Sequence, residues 1–273
     1  MRFNTFNYLI ASSLFILASC IPSGGPSGDR SGGGSNGGGG GGSVTPHNML
    51  LVAGNLQSAT VGTAVTVKPR IRIVSSSGVG ISGVSIAFTV LSGGGSVGSP
   101  LVVTDVNGFA ETTYSLGGTA GTNTMRASAP LITLPGTPTT ITFTETGTVG
   151  AATKLGFAIQ PSNTATAGVN LTTQPAVAVM DGFNNVITSN NSASITLAAF
   201  VDSSCTIAAG AGFSVTTNPV TATSGFSLFS GVNHTVAQNI YIQATSPGLT
   251  SACSSVVAVA PNSPNKIAFT TQP

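Results

Sequence analysis

The chain has 273 residues, room for about one to three domains, so length alone excludes little. Composition excludes more: 5% of residues are charged against a norm of roughly 25%, while 41% are hydrophobic, with 36 Gly, 15 Pro, 13 Phe and no Trp. Eight basic and six acidic side chains leave a net charge of +2, too little to neutralise a phosphate backbone, which argues against nucleic-acid binding and leaves little material for acid–base, cofactor or metal chemistry.

Met1 to Tyr8 form a short polar start whose one charge is Arg2, and an apolar run follows from Leu9 to Ala18. Ten apolar residues are too few to cross a hydrocarbon core, which needs about 20 helical residues, but they fit the centre of an export signal. Leu17-Ala18-Ser19-Cys20 resembles the bacterial lipobox. That resemblance implies a signal peptide over 1–19 that is removed, and a diacylated Cys20 holding the protein to a membrane at about 0.8 kcal/mol per buried CH₂. Ile21 stands where an Asp would resemble the inner-membrane retention signal, so the expected location is the outer membrane, with the remainder surface-exposed or periplasmic.

Ile21 to Pro46 contains 12 Gly and 5 Ser, including an unbroken run from Gly37 to Gly42. Such a segment buries too little apolar surface to offset its ordering entropy, so residues 20–46 read as a lipidated cysteine and a disordered Gly/Ser-rich tether. As a flexible coil it spans about 25–30 Å on average. No strand precedes it and no Gly-Lys-Ser/Thr follows, so it is not a phosphate loop.

Beyond the tether the chain repeats itself. Lys154 to Pro161 (KLGFAIQP) recurs as Lys266 to Pro273 (KIAFTTQP), a spacing of 112 residues. Setting Gly62 against Gly168 also places Pro69 against Pro175 without a gap. The units are therefore expected at 47–150 and 151–262, with a truncated third unit opening at 263–273. A period near 110 is the size of one self-sufficient sandwich, so independent beads are expected.

Within a unit the apolar period is two. From Val65 to Ile73 the odd positions are Val65, Val67, Pro69, Ile71 and Ile73, and the even ones carry Thr66, Lys68, Arg70 and Arg72, the pattern of a half-buried strand. Leu171 to Val179 repeats it, with Val177 and Val179 inward. Pro69 and Pro175 cannot donate to a ladder, which predicts a bulge or free edge there. Further strands are expected over 86–90, 110–115, 139–144, 195–199, 240–244 and 255–259. No window shows a helical apolar stripe, so the fold class is all-β, built of antiparallel sandwiches.

Thr104-Asp-Val-Asn-Gly108, the alternating Phe109 to Tyr114, and Gly117-Gly-Thr-Ala-Gly121 together resemble the Big-1 bacterial immunoglobulin-like repeat of invasin and intimin. In the second unit Val177 to Val186 resembles the hairpin of that family, with Asn184 at the usual Gly place, and Gly225 to Phe229 resembles the later Gly-x-x-x-Phe strand of related bacterial surface repeats. The resemblance implies tandem immunoglobulin-like sandwiches at a cell surface, mostly serving as stalk, and carries over no binding residue.

Candidate sites are few. With Cys20 assigned to lipid, Cys205 and Cys253 share one exported unit, which suggests a disulfide in an oxidising compartment, and alternation with Val257 and Val259 points Cys253 at the core. Gly94-Gly-Ser96-Val-Gly98 matches a nucleophile elbow, but no helix follows and His47 and His234 lie far away in sequence, so no catalytic role is assigned. Asp105, Asn107, Asp181, Asn184 and Asn185 read as turn caps rather than calcium ligands. Lys68, Arg70 and Arg72 read as keeping a sheet edge soluble, with a glycan or anionic surface as the alternative. The expected protein is thus a non-catalytic, membrane-anchored stalk or adhesion module for a host or neighbouring-cell protein or glycan. The alternatives are a binding module using loops such as 75–82 or 182–191, and a spacer for a catalytic domain beyond Pro273.

Overall fold

The computed structural model describes residues 44–263; the expectations for the signal, Cys20, most of the tether and the segment from 264 onwards lie outside those residues. Among the described residues there is no helix. The first sandwich contains β1 (Asn48–Ala53), β2 (Ser58–Thr60), β3 (Arg70–Val74), β4 (Ser85–Ser92), β5 (Ser96–Val97), β6 (Leu101–Val103), β7 (Phe109–Glu111), β8 (Tyr114–Ser115), β9 (Gly121–Ser128) and β10 (Thr140–Thr148). The second contains β11 (Lys154–Ile159), β12 (Thr164–Thr166), β13 (Ala176–Met180), β14 (Ser194–Phe200), β15 (Phe213–Ser214), β16 (Val220–Thr221), β17 (Phe226–Leu228), β18 (Asn233–His234), β19 (Asn239–Ser246), β20 (Leu249–Cys253) and β21 (Val257–Ala260).

In the first sandwich a three-stranded sheet, β1-β3-β7, packs on a five-stranded one, β2-β10-β9-β4-β6. Period-two alternation makes this possible: Ile71 and Ile73 point inward from β3, while Ile86, Phe88, Met125 and Phe143 point inward from the facing sheet, all essentially buried. Each such side chain contributes about 1.5–3 kcal/mol by leaving water. The second sandwich repeats the plan with Val177 and Val179 against Ile195, Leu197, Ile240 and Ile242. There the hydrogen-bonded path runs β12-β21-β19-β20-β11-β13-β17, with β14 and β16 branching from β19. Each sandwich has its own core, and no strand of one pairs with a strand of the other. Most neighbours are antiparallel, but β2 with β10, β11 with β20 and β12 with β21 pair in parallel.

Several expectations need correction. The strand expected over 65–73 begins only at Arg70, because Pro69 cannot join the ladder and Val67 lies exposed before it. The predicted bulge is present, but in the partner strand: the register slips between Leu51 and Ala53 opposite β3, and between Phe157 and Ile159 opposite β13. The strand expected over 110–115 is split, with β7 in one sheet and β8 pairing with β5. The basic row does not guard an edge, since β3 lies between β1 and β7.

Candidate functional site

The polar chemistry of the second sandwich concentrates in the turn after β13, where Asp181-Gly-Phe-Asn-Asn185 meets the first sandwich. Asp181 N donates to Asn185 O (3.0 Å) and Asn184 N to Asp181 O (3.2 Å), which closes the turn and requires Asn184 to take φ = 72°. Asn tolerates that left-handed conformation better than most residues, which explains how it fills the usual Gly place. The corresponding turn of the first sandwich uses Gly78 at φ = 83°.

From this turn two side chains reach across. Asn185 accepts a hydrogen bond from Ala120 N on Oδ1 (2.9 Å) and donates from Nδ2 to Gly118 O (2.7 Å). Asp181 accepts from Gly150 N, in the segment joining the sandwiches, on Oδ2 (3.0 Å), and from Phe183 N and Asn185 N on Oδ1 (2.9 Å each). Burial disfavours the Asp181 carboxylate, yet hydrogen bonds from Gly150 N, the Asn185 side chain, and the Asn185 and Phe183 backbones outweigh it and hold the carboxyl below its ordinary value. The Phe183 ring lies over Gly62 and Gly118, where a methyl group at either glycine would collide with it. Gly62 is also fixed by its backbone, at φ = 74°.

This joint was not legible in the sequence, which offered independent beads and the 182–191 loop as a free binding surface. The first part of that loop instead contacts the first sandwich. The residues carrying the family resemblance also have structural tasks. Buried Thr104 accepts from Val84 N (2.9 Å) and donates to Ile81 O (2.8 Å), while Asp105 Oδ1 accepts from Asn107 N and Phe109 N (2.9 Å each).

Cys205 and Cys253 form a disulfide with a Cα–Cα distance of 6.0 Å. The expected inward aim of Cys253 is wrong. In β20, Ala252 opposite buried Ala244 faces the core, Cys253 lies opposite Gln243, and the irregular stretch 254–256 breaks the alternation before Val257. The bridge ties β20 to the loop at 202–205, where Asp202 Oδ1 accepts from Thr206 N and Ile207 N. Ser96 pairs with Ser115 in a short ladder. His234 is buried in the second sandwich, its Nε2 2.8 Å from Gln238 Nε2. No group of three or more His, Cys, Asp or Glu among the described residues is placed to hold a metal ion.

No family model and no curated protein matches the chain. Among solved structures it is similar to the D0-D1 domain of intimin, at 15% identity over 78% of this chain and 97% of that one, with a TM-score of 0.29. It is similar to invasin, described as a bacterial integrin-binding protein, at 14% identity over 78% of this chain and 38% of that one, with a TM-score of 0.30. A third is the human desmocollin-1 ectodomain, at 11% identity over 78% and 40%, with a TM-score of 0.37.

Proposed function

We propose that this chain is a non-catalytic lipoprotein of the bacterial surface, anchored through lipid on Cys20 and presenting Big-1-like sandwiches as a stalk or adhesion module. The observation that carries the reading is the joint. Asn185 and Asp181 bond the first sandwich and the connecting segment at once, and Phe183 fills the space above two glycines. A stalk needs this, because a coupled pair of beads transmits orientation where a flexible pair does not. The low charge of the chain agrees with a mechanical role.

The anchor is tested by Cys20→Ser, which is expected to move the protein from the detergent phase to the aqueous phase; a variant that stays in the detergent phase refutes it. The joint is tested by residual dipolar couplings on the full chain. The two sandwiches are expected to share one alignment tensor, and Phe183→Ala with Asn185→Ala is expected to separate them. Independent alignment in the unaltered protein defeats the stalk reading.

A further inference from the structure

Half of the Asp, Glu, Lys and Arg side chains among the described residues stand on or beside one face of the first sandwich: Lys68, Arg70, Arg72, Asp105 and Glu111. In a protein this poor in charge, that clustering calls for a cause. Edge protection is not available as one, because β3 is a central strand. Ladder register sets the face: Arg72 lies opposite Phe109, and Arg70 opposite Glu111.

The Arg70 guanidinium lies 4.0 Å from the centre of the Phe109 ring and that of Arg72 lies at 5.2 Å. Arg72 Nε donates to Asn107 O (2.9 Å), so this arginine is held by the turn. Arg70 is different. Its Nε is buried with no hydrogen-bond partner, the nearest Glu111 oxygen is 3.8 Å away, and its side chain is 37% exposed. It is a guanidinium steadied by an aromatic face, with donor capacity unspent and little rotamer freedom left to lose on binding. Beside it is a groove of about 470 Å³ lined by Arg70, Phe109, Val102, Val103, Asp105 and Glu111. That volume is in the range of small-ligand sites, about 300–1,000 Å³.

The lining selects a chemistry. A planar fork with free donors fits a carboxylate. Glu111 Oε1 is occupied by Lys68 Nζ (3.1 Å), and Asp105 Oδ1 by two backbone donors; Glu111 Oε2 has only the ion pair with Arg70 Nε at 3.8 Å, too long for a hydrogen bond, and no described residue donates to Asp105 Oδ2. Two acceptor carboxylates repel a phosphate dianion yet welcome hydroxyl donors, and Val102 and Val103 offer an apolar wall for the C–H face of a ring. We infer that the outer face of β3 and β7, with the adjoining β6, binds a carboxylated saccharide, with Arg70 holding the carboxylate and Asp105 and Glu111 accepting hydroxyls. The inference does not depend on the anchor or on the stalk.

Isothermal titration of the full chain with digalacturonate, its dimethyl ester and 3′-sialyllactose tests it, with a polyglutamate peptide as the acidic non-sugar. Binding of digalacturonate or 3′-sialyllactose, and loss of the former on esterification, are expected; which of the two binds tells a uronate from a sialate. Arg70→Gln and Arg70→Lys are each expected to weaken binding by about tenfold or more, since neither keeps a stacked bidentate fork. Arg126→Gln, the same charge change at an exposed position of β9, is expected to leave it unaltered. Thermal unfolding of each variant reports whether the sandwich remains folded, and Phe109→Leu, which removes the stacking face while keeping Arg70, is expected to weaken binding as well. No binding of either sugar, equal binding of the ester, preference for polyglutamate, or equal losses in the Arg70 and Arg126 variants would each overturn the site.

Discussion

The two sandwiches share a strand register but close the same edge in different ways. In the first, residues 129–139 between β9 and β10 form an irregular cover with three prolines. That cover buries Leu134 and bonds the start of β1 through Gly136 N to His47 O (2.9 Å) and Met49 N to Pro138 O (3.4 Å). In the second, the corresponding connection includes β20, which lies along β11 through Thr250 N to Thr153 O (2.9 Å) and carries the disulfide to Cys205. The framework strands correspond between repeats, β1-β3-β7 to β11-β13-β17. What distinguishes one repeat from the other is set by the connections and by the few polar groups turned inward.

The disulfide should expose this difference most clearly. Bridging residues separated by 48 in sequence restricts the unfolded chain by about 4 kcal/mol on chain-entropy arithmetic. Cys205→Ser with Cys253→Ser should therefore destabilise the second sandwich by up to that amount, with hydrogen exchange accelerated at Ile242 and unchanged at Met125. Equal acceleration at both would show that the sandwiches unfold as one body, and the comparison would lose its meaning.

A smaller effect separates backbone strain from contact at the joint. Gly62 and Gly168 occupy equivalent places with φ of 74° and 76°, but only Gly62 lies beneath Phe183; nothing stands within 4 Å of a Cβ built at Gly168. Gly168→Ala should cost about 1–2 kcal/mol of left-handed strain alone. Gly62→Ala should cost the same plus the collision, and restoring room with Phe183→Ala should remove the excess. Equal losses at the two glycines, read from calorimetric unfolding, would mean that Phe183 exerts no force on the joint.

The sequence made the strands legible where alternation was undisturbed. Ile195, Leu197 and Ala199 alternate with exposed neighbours and lie buried in β14, and Ile240, Ile242 and Ala244 lie buried in β19 between the half-buried Tyr241 and Gln243. It misled where a short break reset the phase, as at 254–256 before Val257, or where a proline deferred the strand, as at Pro69. The joint was illegible for a different reason. Asp181, Asn184 and Asn185 are ordinary turn formers, and nothing in their spacing says that Gly118 and Ala120 stand opposite. The Arg70 site was half legible: the alternating basic row was visible, but its stacking on Phe109 needed the pairing of β3 with β7.

The smallest expected effects are proton-linked, and they run in opposite directions in the two sandwiches. Glu145 is fully buried in the first, taking a hydrogen bond from Gln57 N on Oε2 while Oε1 and the nearby Tyr114 hydroxyl have no partner. Burial raises its carboxyl above the ordinary 4.5, more than the Gln57 bond lowers it. Its unfolded form ionises first, so stability is fully present below pH 4.5 and is lost as pH rises through the folded value. His234 is buried in the second, and burial lowers it below the ordinary 6.5. Its unfolded form takes the proton first, so stability is present above pH 6.5 and is lost as pH falls through the folded value. Acidification from pH 7 to 5 should therefore speed amide exchange in β19 relative to β9. Glu145→Gln should flatten the response of the first sandwich and His234→Leu that of the second, each without touching the other. Parallel responses in β9 and β19 across that range would mean that the buried acid and the buried base do not set the proton sensitivity of their own sandwiches.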